Sequence, residues 1–187
     1  MAIYPHFIKR RPGIDLAWIS AKIREAIEER PSRRAHGYTS KNAFYITKDG
    51  RILAYNEFSK LSPVDNPISV HSHSPENWAV GEEFQPLNAG DLDALRWHIK
   101  RGYGNKMIVI MADGRMDYLE VPKMAQPRFS NLGMKTLELI AEASREEAKE
   151  GWEQHGIKTY ESDRIKLLQF ADAYGLIFLE NLNWERM

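Results

Sequence analysis

The chain reads as an α/β fold of the α+β kind, a small mixed sheet flanked by helices with a helical extension at its C-terminal end. Three observations predict it. Two strand-like pairs flank the turn signals Asp49-Gly50 and Asp113-Gly114. Segments with helical apolar spacing stand before and between those pairs. A short apolar run, Ile68 to His71, has the length and composition of a buried strand.

The elements follow in order. Ile14 to Glu29 is an amphipathic helix with Asp15 as its cap and Leu16, Ile19, Ile23 and Ile27 on one face; Pro31 ends it. Ser32 to Asn42 is a polar stretch. Ala43 to Thr47 and Arg51 to Phe58 form the first hairpin, around Lys48-Asp49-Gly50. Turn residues from Pro63 to Pro67 lead into the Ile68 to His71 strand. His73 to Pro86 has no periodicity and reads as a loop, and a long loop inside a small domain often carries function. Asn88 caps a helix running to Arg101, which Gly102 and Gly104 stop. Lys106 to Ala112 and Met116 to Val121 make the second hairpin. Asn131 to Gln154 and Asp163 to Tyr174 read as helices, the second ended by Gly175. Ile177 to Leu182 is either a short strand or an extended tail.

Composition excludes several functions. With 187 residues the chain is long enough for a real core, and an apolar fraction of 43% with five Trp, eight Tyr and seven Phe supplies it. Lys plus Arg equals Asp plus Glu at 26 each, so overall charge points to neither nucleic acid nor an anionic membrane. The basic clusters at Lys9-Arg10-Arg11 and Arg30 to Arg34 are short and read as solvated surface. No cysteine is present, which removes disulfides, thiolate metal sites and cysteine nucleophiles. No window reaches the ~20 apolar residues of a membrane span. Met1 to Pro12 is interrupted by Pro5, His6 and Lys9 and does not read as a signal peptide; the expected location is cytoplasmic.

The chemistry concentrates between Val70 and Asp91. His71 and His73 are two residues apart, so on a strand their imidazoles share a face. Asp91 lies in the first turn of the following helix, where the helix dipole favours a carboxylate. Two imidazoles and a carboxylate are a donor set that zinc takes, and three ligands leave one position open, as in catalytic sites. Water at such a position loses a proton near neutral pH. The structural alternative is that the histidines decorate a strand end and Asp91 only starts a helix.

These residues resemble the JAMM metalloprotease family, whose motif is His-Ser/Thr-His-Pro, a spacer, then Ser-x-x-Asp, with a Glu upstream. The matching residues are His71-Ser72-His73 and Asn88-Ala89-Gly90-Asp91. The likeness covers roughly Ile14 to Val121. It implies a JAMM/cytidine-deaminase-like sheet, a metal-binding domain over residues 1–125 and a helical extension over 126–187 packing on it. It implies zinc held by His71, His73 and Asp91, and hydrolysis of a peptide or isopeptide bond in a protein or peptide substrate. Asn88 stands at the family's serine position, where its amide is a candidate donor to an oxyanion; as a bland alternative it caps the helix. Three departures stand out. Serine is replaced by Asn88, the proline is shifted to Pro75 within a longer spacer, and Arg34-Ala35-His36-Gly37 occupies the place of the Glu. His36 is the candidate proton carrier in that place, or an ordinary loop residue; Glu76 and Glu82 in the long loop are further candidates.

Two functions therefore compete: a zinc-dependent hydrolase, and a catalytically inactive JAMM-like interaction module, phage- or toxin-associated. No other constellation stands. Gly102-Tyr103-Gly104 lacks the rest of a nucleotide-binding loop, and His98, two turns beyond Asp91, reads as a surface residue. The C-terminal helices are expected to cap the sheet. Sequence does not specify the oligomeric state.

Overall fold

A computed structural model describes residues 14–29, 34–35, 38–39, 43–72, 87–110, 115–141 and 159–183. The expectations for His36, His73, Glu76 and Glu82 lie outside the described residues.

The fold is mixed α/β, a six-stranded mixed sheet with helices on both faces. It starts with α1 (Leu16–Arg24), whose first turn is closed by Asp15 accepting from the Trp18 N–H at 2.9 Å. Ile19 and Ile23, four residues apart, share the buried face. The helix does not run regularly to Glu29: Glu25–Glu29 is a π-helical turn. Within the polar stretch, β1 (Arg34–Ala35) and β2 (Tyr38–Thr39) form a two-residue antiparallel ladder of their own.

The first hairpin joins β3 (Ala43–Ile46) to β4 (Ile52–Ala54), and Gly50 turns it with φ +85°. The second strand ends at Ala54 rather than Phe58. Tyr55–Lys60 is a 3-10 turn; the Glu57 carboxylate accepts from the Ala54 N–H at 2.9 Å, as the third residue of a capping box does, and favours the turn where the ladder ends. A second 3-10 turn, Pro63–Asp65, leads to β5 (Ile68–Ser72).

β5 lies antiparallel to β3 and parallel to β6 (Lys106–Ile110), and α2 (Ala89–Arg101) lies on the crossover between them. β7 (Arg115–Glu120) pairs with β6 as the second hairpin. Then come α3 (Gln126–Ser130), α4 (Met134–Ala141) and α5 (Thr159–Tyr174). The helix expected from Asn131 therefore starts at Met134. Asn131 closes α3 instead, and the Gly133 carbonyl opens α4 by accepting from Thr136 and Leu137. Residues 142–154 of that expectation lie outside the described ones. Gly175, at φ +67°, ends α5, with the Leu176 N–H donating back to Ala171 at 2.8 Å. Ile177–Asn183 is β8, a strand rather than a tail, antiparallel to β7. Strand order is β4-β3-β5-β6-β7-β8.

Alternation divides the core. Phe44, Ile46, Val70, Ile108, Met116 and Tyr118 pack with Ile19 and Ile23 of α1 on one face. On the other, Met107, Val109 and Leu119 pack with Leu92 and Leu95 of α2, Phe129 of α3, Leu137 of α4 and Leu167 of α5. Among the described residues no helix is long and apolar enough to cross a membrane.

A candidate site at the end of β5

His71 lies at the C-terminal end of β5, opposite Ala43 on one side and Val109 on the other. Ile68 and Val70 point to the α1 core, so strand alternation turns Ser69 and His71 toward α2. The N-terminus of α2 meets His71 there. His71 Nε2 donates to Asp91 Oδ1 at 2.8 Å, and both side chains are mostly buried.

Asp91 is held by the cap as well. Its Oδ2 accepts from the Asn88 N–H at 2.8 Å, and its own N–H donates to Asn88 Oδ1 at 3.1 Å. This reciprocal box satisfies two helix-end donors and leaves Oδ1 directed at the imidazole. Asn88 is thus the helix cap. Its carbonyl oxygen is committed to Asp91, so any donation to an oxyanion falls to its Nδ2 amide.

An imidazole nitrogen and a carboxylate oxygen that meet at one point are donors suited to a divalent ion. His71 and Asp91 are thus brought together, and His73 lies outside the described residues. Among the described residues no group of three or more His, Asp or Glu side chains is placed to hold a metal.

Below this pair lies a second polar layer that sequence reading missed. His98 is buried at 8% exposure, not on the surface. Seven residues from Asp91 is two helical turns, so His98 shares the face of α2 that looks at the sheet; that spacing was the available signal. Its Nε2 lies 3.4 Å from the Tyr45 hydroxyl, and Tyr45 is paired in register with Ser69, also buried. Burial, and then the nearby Tyr55, push the Tyr45 phenol well above its ordinary value. Asp117 was missed too. It is fully buried on β7 opposite Val109, the residue opposite His71, so the three stand in one row across the sheet. The signal was an aspartate in mid-strand, two residues from Leu119 and so on the same inward face.

Burial, and secondarily the neighbouring His71, push the His98 imidazole down from 6.5 to about 4. The unfolded chain takes up this proton near 6.5, whereas the folded protein excludes it until about 4. Between those values the unfolded state binds more protons, so stability rises with pH. The contribution is complete above pH ~7 and is lost as pH falls toward 4, amounting to about 3 kcal/mol. Urea midpoints measured from pH 7 to pH 4 are expected to fall for the wild type. For His98→Gln the same titration should be flatter over that window; an unchanged slope would show that His98 is not the group responsible.

Compared with protein-family models, with curated proteins and with solved structures, the chain matches none.

Proposed function

We propose that this chain is a divergent JAMM-like zinc-dependent hydrolase of peptide or isopeptide bonds, built on a JAMM/cytidine-deaminase-like version of the mixed sheet. The observation that carries this reading is the 2.8 Å contact between His71 and Asp91. Residues twenty apart in sequence, one ending a strand and one starting the crossover helix, meet in the order the motif requires. His71, His73 and Asp91 would hold the metal. When bound, zinc supplies Lewis-acid activation of water and of a carbonyl oxygen.

The chain's own residues prepare the site. The cap fixes the Asp91 carboxylate before any ligand arrives, which lowers the cost of ordering it. The Tyr45–His98 pair, with buried Ser69 and Asp117 on the same face, gives the site a polar floor beside the apolar core. Asn88 Nδ2 is the proposed donor to the substrate oxygen, and His36 the proposed proton carrier.

A second reading, the inactive interaction module of phage or toxin association, has one observation in its favour. The strand β1 carries Arg34 and Ala35 where the family's general-base Glu is expected.

The test is zinc content by elemental analysis of the purified protein beside His71→Ala. About one zinc per chain, lost in the variant, is expected; a peptidase screen of the loaded protein then separates the two readings. No zinc after incubation with the ion would sink the hydrolase reading.

A further inference from the structure

Beside the candidate site the structure presents an aromatic surface that the hydrolase reading does not use. Three large side chains stay open to solvent there: Tyr55 at 40%, Phe58 at 42% and Trp97 at 39% exposure. They are braced by other rings. Tyr55 stacks on Tyr45 with centroids 6.0 Å apart, and Phe58 meets Trp97 edge-on at 6.3 Å. His98 contacts both Tyr45 and Trp97, at 5.7 and 5.5 Å, so the surface is continuous with the layer under His71 and Asp91. Ordered before anything binds, such rings lose little side-chain freedom on binding. Aromatic residues with an arginine among them are the composition of interface hot spots.

Charge narrows the partner. The Arg101 guanidinium lies 4.9 Å over the Trp97 ring, and Lys100 is exposed beside it. The neighbouring acids are already matched, Glu57 by Lys60 and Asp93 by Arg96. Among the described residues no ion pair engages Lys100 or Arg101, so the surface keeps two surplus cations. We infer that this face, made by the Tyr55–Lys60 turn and the C-terminal half of α2, docks an acidic peptide segment bearing an aromatic or large apolar side chain. The side chain packs on Trp97 and Phe58, and its acidic neighbours meet Lys100 and Arg101. A single-stranded nucleic acid would also stack on these rings, but it needs a groove of cations that follows its backbone. Two cations on a chain of zero net charge favour the peptide.

This inference stands apart from the metal reading and is tested without it. Fluorescence anisotropy is followed with four labelled probes: an acidic heptapeptide with a central tryptophan, the same with a central alanine, a basic counterpart with tryptophan, and a dodeca-uridine. The acidic tryptophan peptide is expected to bind roughly tenfold more tightly than the other three. Reversing the charges with Lys100→Glu and Arg101→Glu, which leaves the core untouched, should remove at least roughly tenfold of that affinity. Phe58→Ala should weaken binding as well. His71→Ala should bind like the wild type, so a failed metal site does not disguise the result. Absence of binding, equal or tighter binding of the uridine or basic probes, or indifference to the charge reversal would each overturn the inference.

Discussion

Asp91→Ala is expected to destabilise the protein by about 3 kcal/mol and to abolish the proposed zinc binding together. Two losses combine. Removing the carboxylate breaks the box with Asn88, and a helix cap of this kind is worth about 1 kcal/mol. It also leaves the mostly buried His71 imidazole without its 2.8 Å partner, which costs about 1–3 kcal/mol. Asp91→Asn separates the two roles. Its side-chain oxygen still accepts from the Asn88 N–H, so it should recover at least half of the lost stability while holding zinc much more weakly than aspartate. Urea unfolding and elemental analysis on the same three proteins decide it. If Asp91→Ala unfolds at the wild-type urea midpoint, the cap and the imidazole contact do not carry the weight assigned to them.

Gly104→Ala should be as damaging although it touches no proposed ligand. Gly104 adopts φ +149°, and a Cβ there would lie 2.6 Å from the Pro67 carbonyl oxygen. Backbone cannot move aside as a flexible side chain does, so the expected loss is about 3 kcal/mol or more. Pro67 directly precedes β5 and Gly104 shortly precedes β6, so the clash falls where the two parallel strands begin to pair. The consequence should reach the far end of β5, weakening the zinc binding proposed for His71. Gly133→Ala is the control, since a Cβ there meets nothing within 4 Å. Its urea midpoint should stay near that of the wild type, and equal damage from both substitutions would argue against a steric cause.

The two hairpins were legible because Asp-Gly turns announce themselves locally, and α2 was legible because Asn88 and Gly102 mark its ends. Elements governed by side-chain competition were not. Residues 51–58 look strand-like by composition, yet the chain winds into a 3-10 turn after Ala54, where the Glu57 carboxylate accepts from the Ala54 N–H. Ile177–Asn183 was ambiguous because its strand state depends on β7, a partner distant in sequence. In the site, element order and the JAMM-like motif named His71 and Asp91 together on the condition that the loop folds back, and the two side chains meet at 2.8 Å. The burial of His98 did not, since polarity suggested solvent while its helical phase, shared with Asp91, set the outcome.

The position of β8 has a consequence for how the protein is made. β7 ends at Glu120, but the strand that covers its outer edge begins only at Ile177. During synthesis from the N-terminus, β3 to β7 therefore emerge and pair while that edge still presents unpaired backbone groups. Exposed edges of this kind are templates for pairing with other chains. The nascent protein passes through an interval in which its own last strand competes with neighbouring polypeptides for the same row of hydrogen bonds, and slow translation of the α4 to α5 region would lengthen that exposure.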